Sequence, residues 1–146
     1  MKKIFKIVLI AIVFVSCKQN IEPTDVVKLN GYWEIEKVDV EDGEDKNYKI
    51  NEFFDYFEIK DNQGIRKKVK PQLDGTFVVN DTYENVKIRF ENDKLYLDYS
   101  TDFAKWSEEV ITLTDEKLVV KNEENKEYYY KKTGAINLTG NGKTTK

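Results

Sequence analysis

From residue 86 the chain reads Val86-Lys87-Ile88-Arg89-Phe90-Glu91, apolar and charged residues alternating without a fault. Successive side chains on a strand point to opposite faces, so this pattern fits a strand with one buried and one wet face. Asn92-Asp93 interrupts it, and Leu95, Leu97 and Tyr99 resume the alternation beyond. Both turn residues tolerate the positive φ of a tight hairpin. The same grammar recurs from Leu29 to Lys132 and predicts strands over 31–40, 47–50, 55–60, 64–69, 76–79, 85–91, 94–99, 106–113, 117–122 and 127–132. In the first of these Trp33 and Ile35 share one parity while Val38 and Val40 share the other, which requires a bulge near Glu36-Lys37. Short strands at this spacing make the domain an all-β sandwich or barrel. Helix is expected only as single turns near Glu52–Phe54 and Asp102–Trp106.

A different chemistry stands ahead of the strands. Lys2, Lys3 and Lys6 precede an apolar run from Ile7 to Val15, closed by Ser16-Cys17. The run is well short of the ~20 residues a spanning helix needs. A basic head, a short apolar middle and a small residue before the cut describe a secretory signal. Phe14-Val15-Ser16-Cys17 also resembles the lipobox of bacterial lipoproteins. That resemblance implies cleavage before Cys17, a diacylglyceryl group on its thiol, acylation of the new amine, and attachment to a membrane. Without it, the segment is an ordinary cleaved signal followed by an incidental cysteine. In that family an aspartate after the cysteine goes with inner-membrane retention; Lys18 stands there instead, which implies the outer membrane, on either face. The expected division is a signal peptide over 1–16, a lipidated cysteine and flexible tether over 17–28, a folded domain over 29–132, and a disordered polar tail over 133–146.

Composition removes whole classes of function. There is no histidine, so Ser-His and Cys-His nucleophile pairs and His-containing zinc sites are absent from the sequence. Cys17 is the single cysteine, so no intramolecular disulfide forms and burial alone must hold the fold. The net charge of −3 becomes more negative once Lys2, Lys3 and Lys6 are cleaved away, which argues against a nucleic-acid partner. Carboxylates, lysines and tyrosines remain, in no recognisable catalytic motif; neither an enzyme nor a cofactor is expected. Glu41-Asp42-Gly43-Glu44-Asp45 lacks the alternating ligands and distal glutamate of a calcium loop and reads as a solvated loop. Arg66-Lys67-Lys68 with Lys70 reads as a wet strand face or as a contact for anionic headgroups.

Gly31-Tyr32-Trp33, opening the first strand, resembles the Gly-X-Trp of lipocalins. In that family the tryptophan plugs the closed end of an up-and-down antiparallel barrel, and a basic residue of the last strand lies across the indole. Lys131 and Lys132 follow Tyr128-Tyr129-Tyr130 at that place, and Lys132 has the parity of Tyr128 and Tyr130. Asp74-Gly75-Thr76-Phe77, Tyr96 to Tyr99, and Trp106 to Leu113 with Leu118-Val119-Val120 resemble the lipocalin-like domains of Gram-negative lipoproteins. The resemblance implies a small lipocalin-like barrel that binds an apolar or amphipathic molecule, closed by Trp33 and Lys132. Strand parity turns Phe57, Phe77, Phe90, Tyr99, Tyr128 and Tyr130 inward as candidate ligand contacts, with Tyr99 and Tyr128 lining a shallow site at the open end. The alternative is a barrel filled by its own side chains, serving as an interaction or structural module of the envelope.

Overall fold

A computed structural model describes residues 19–41 and 43–134. The expected signal peptide over 1–16, Cys17, and 135–146 of the expected tail lie outside the described residues, while Thr133, expected in that tail, pairs with Tyr32 as the end of the last strand. Ten strands follow in order: β1 (Gly31–Asp39), β2 (Lys46–Asn47), β3 (Phe54–Lys60), β4 (Gln63–Pro71), β5 (Phe77–Val79), β6 (Glu84–Glu91), β7 (Lys94–Ser100), β8 (Lys105–Leu113), β9 (Lys117–Lys121) and β10 (Glu127–Thr133). Every pairing is antiparallel, and the sheet runs β10-β9-β8-β7-β6-β4-β3-β1 before β1 meets β10 again. Eight strands thus close into a barrel, with β2 against β1 and β5 against β4 as short additions. Closure leaves the main sheet no open edge, which suits a domain with no disulfide.

The tight turns form where short polar residues accept positive φ. Asp61 and Asn62 sit at φ 51° and 61°, Asn92 and Asp93 at 51° and 59°, each pair joining adjacent strands of the barrel. The β1 bulge falls between Ile35 and Lys37, so that Ile35 faces Tyr130 and Val38 faces Tyr128 across β10. A second irregularity lies between Val110 and Thr112 in β8, and the alternation there did not signal it. The hairpins β3–β4, β6–β7 and β8–β9 gather at one end; the long connections after β1 and β4 lie at the other.

The hairpin end is shut. Trp33 is fully buried, and its indole N–H donates to the Leu29 carbonyl at 2.7 Å. The Lys132 ammonium lies 5.0 Å from the indole centre and donates to the Lys28 carbonyl at 2.7 Å. Its stem passes over Gly31, at φ 117°, where a Cβ would meet Lys132 Cε at 3.1 Å. The glycine of Gly-X-Trp is therefore the gap through which the lysine reaches the tryptophan. Below this layer Leu95, Leu97, Leu113 and Leu118 are all essentially inaccessible.

One expectation is corrected here. Residues 19–28 are not a free tether. A 3-10 helix spans Pro23–Leu29, with Pro23 in its first turn and the Glu22 amide donating to the Asp25 carboxylate at 2.9 Å. Ile21, Val26 and Leu29 are buried in the same core cluster as Trp33. Gln19 reaches Leu113 twice, its amide N–H donating to the carbonyl at 2.7 Å and its oxygen accepting the Leu113 amide at 3.0 Å. The open ring of strand ends presents apolar residues that need a lid, and these three spaced side chains supply it. Spacing that is neither two nor 3.6 made the segment look unstructured.

Candidate site in the open half of the barrel

Above the tryptophan layer the interior turns polar. Asp55 shares its face of β3 with Phe57 and Ile59; Arg66 lies opposite Phe57, and Lys68 opposite Asp55. Glu84 pairs with Arg66 across β4–β6, while Tyr99 sits beside Trp106 and Leu97 beside Glu108 across β7–β8. These inward positions converge. Asp55, Glu108, Tyr99 and Tyr130 are all buried. Arg66 donates through Nε to the Glu84 carboxylate and holds Nη1 3.8 Å from Glu108 Oε2. Its guanidinium lies 4.2 Å from the Tyr99 ring centre, and Tyr99 stacks on Trp106 at 5.2 Å and 16°. Lys68 Nζ is 2.6 Å from Asp55 Oδ1.

The electrostatics follow from burial among mixed charges. Burial pushes the Tyr99 hydroxyl well above its ordinary value, against the pull of Arg66. Burial likewise raises the Glu108 carboxyl; Arg66 and Tyr99 oppose it, while Asp55 and Glu84 add to it. For Arg66, burial alone would lower the pKa, but Tyr99, Glu84, Asp55 and Glu108 outweigh it and the guanidinium stays charged. Tyr99 Oη and Glu108 Oε2 are close enough to affect each other's protonation, yet neither completes a well-formed hydrogen bond. Three carboxylates against two cations, with polar oxygens left incomplete, is a poor filling for a purely structural core.

The residues expected to point inward divide. Tyr99 and Tyr130 join the cluster, and Tyr128 packs half-buried at its edge, its hydroxyl accepting from Asn122 at 3.4 Å. Phe57 belongs to the apolar core. Phe77 is corrected: its ring stacks on Tyr32 at 4.1 Å, on the outer face of the barrel, with Phe54 at 6.3 Å. β5 pairs with the far end of β4 after the turn at Gln72–Gly75, and that turn resets which face its residues take. Phe90 is corrected too; it keeps the parity of Val86 and Ile88 but lies next to the hairpin at the shut end and is 37% exposed. Parity gives a face and says nothing of depth. Arg66 also leaves the wet face expected of the basic stretch, whereas Lys67 and Lys70 stay outside over Tyr83 and Phe53. Alternation assigns charged residues to the wet face, so it does not single out Asp55, Arg66, Glu84 and Glu108 as inward. Asp55, Glu84 and Glu108 nonetheless share parity with the buried Phe57, Val86 and Val110, a signal that Arg66, between Gly64 and Lys68 on its face, does not carry. Among the described residues no three acidic, cysteine or histidine groups are placed to hold a metal.

A family model described as a lipocalin-like domain matches residues 29–120. The chain belongs to the lipocalin-like domain family. The match spans β1 to β9 of the lipocalin-like barrel. Two solved structures are similar to it. One is an uncharacterized protein from Bacteroides eggerthii, 14% identical, covering 71% of this chain and 98% of its own, with a TM-score of 0.47. The other is a lipocalin-like protein from Bacteroides uniformis, 13% identical, covering 72% and 98%, also with a TM-score of 0.47. No curated protein matches the chain.

Proposed function

We propose that this lipocalin-like barrel is an envelope lipoprotein, held by lipid on Cys17, that takes a small amphipathic molecule in its open half. The ligand's polar group meets Arg66, Glu108 and Tyr99, and its apolar part lies along Trp106 and Tyr128. The observation that carries the reading is the buried charged cluster itself. A buried guanidinium ringed by carboxylates costs stability that a hydrophobic filling would not, and such groups collect where something is bound. The apolar layers around Trp33 fill the shut half, which leaves the polar half to receive a ligand. The reading is tested by titrating the Cys17→Ser protein with dodecyl ligands carrying different head groups, following Trp106 fluorescence. Saturable binding weakened at least tenfold by Arg66→Leu, with the fold intact by circular dichroism, is the expected result. No saturable binding by any of them refutes the site.

A second reading has its own observation. Ile50, Phe53, Leu73, Tyr83 and Phe103 all stand exposed on the loops of the open end, Phe103 at 97%. Apolar groups gathered on one rim fit contact with a protein partner. The strand aromatics Tyr56, Tyr96 and Trp106 are only half-exposed and add nothing to that rim: Tyr56 lies against Tyr32, Tyr96 under Arg89, and Trp106 on Tyr99.

A further inference from the structure

The N-terminal segment decides how such a domain would stand on its membrane. Gln19 is clamped to the Leu113 backbone by two hydrogen bonds, Ile21 is buried, and the 3-10 helix lies across the hairpin end. The chain is therefore held to the folded body from residue 19 onward. Between it and Cys17 lies a single residue, Lys18. Two residue steps reach at most roughly 7 Å even when fully extended. A tether of twelve free residues would let the barrel tumble; a span of this length cannot.

Resting on the reading that Cys17 carries the lipid, we infer that the barrel stands on its shut end against the bilayer, with its open end turned to the aqueous side. Charge at the shut end is mixed, with Lys60 and Lys117 exposed there. The turn tips carry Asp61, Asp93, Asp115 and Glu116, all exposed. The orientation comes from tether length rather than charge. The nine residues of β8, tilted as barrel strands are, set the two ends roughly 20–25 Å apart. The polar cluster and the apolar rim with Phe103 therefore face away from the protein's own membrane. A ligand or partner arrives through water, and a lipid of the supporting leaflet does not reach the mouth.

The test uses the full lipidated protein in vesicles of phosphatidylethanolamine and phosphatidylglycerol. Val27→Cys at the shut end and Phe103→Cys at the open end are both exposed positions, at 67% and 97%, so neither change disturbs the core. Each is labelled with a fluorophore and quenched by lipids spin-labelled at the headgroup. The label at 27 should be quenched at least threefold more than the label at 103. Inserting ten Gly/Ser residues between Lys18 and Gln19 should bring the two close to equality. Equal quenching without the insertion overturns the inference, as does an unchanged ratio with it, since orientation would then come from the surface. Protein that remains in the supernatant after vesicle sedimentation overturns the lipid reading itself, a separate and recognisable failure.

Discussion

Replacing Trp33 by alanine removes the part on which both halves of the shut end rest. The side chain is fully buried, with the Lys132 ammonium over the indole and the buried leucines in the same core cluster. A ring of this size buries about 150–250 Å², worth roughly 4–6 kcal/mol at about 25 cal/mol per Å² as an upper bound. Measured aromatic-to-alanine changes in cores run about 3–5 kcal/mol. The indole N–H also satisfies the Leu29 carbonyl at 2.7 Å; orphaning that buried group adds about 1–3 kcal/mol. The change should therefore cost about 4–8 kcal/mol in all, much of the ~5–15 kcal/mol that holds a domain folded. Urea unfolding of the Cys17→Ser protein, followed by far-ultraviolet circular dichroism, measures it. Trp33→Phe keeps an aromatic face for Lys132 but loses the N–H, and should fall about midway. A loss below 1 kcal/mol for Trp33→Ala, or equal losses for the two variants, would refute the account of a packed and hydrogen-bonded plug.

The remaining predictions concern other layers. Burial raises the Glu108 pKa in the folded state, so the fold holds a proton that the unfolded chain releases. Its contribution is full below the ordinary glutamate value and is lost as pH rises through the raised one; Glu108→Gln should flatten that slope in melting temperatures taken from pH 4 upward. At Gly64 a Cβ would fall 1.9 Å from the Glu58 backbone oxygen, so Gly64→Ala should cost about 3 kcal/mol or more, or leave no folded protein by circular dichroism. Lys132→Met keeps the stem but loses the ammonium over the indole and its bond to Lys28, and should cost about 1–2 kcal/mol in the same urea assay. Phe103→Ser should change stability by less than about 0.5 kcal/mol while lowering adsorption to hydrophobic resin.

What the sequence by itself determined is the strand list. Alternation such as Val86 to Glu91 decides, residue by residue, which side of a strand is wet, and Asp61-Asn62 and Asn92-Asp93 set the hairpins from their own backbone preferences. These are local effects, so nine of the strands and the β1 bulge were legible without neighbours, whereas β2 meets the expected 47–50 at Asn47 alone; Gly31-Tyr32-Trp33 pointed to the kind of barrel. What only the tertiary structure decided depends on partners distant in the chain. Ile21, Val26 and Leu29 become a lid because the ring of strand ends leaves a hole of their size, and Gln19 is fixed by Leu113, 94 residues away. Phe90 and Phe77 miss the interior because depth along the barrel and the turn before β5 are set by pairing, which parity does not encode. Asp55, Arg66, Glu84 and Glu108 can stay inside because each meets an opposite charge carried by another strand. A single strand's pattern cannot show that compensation, since the charge that makes burial tolerable arrives only when the barrel closes.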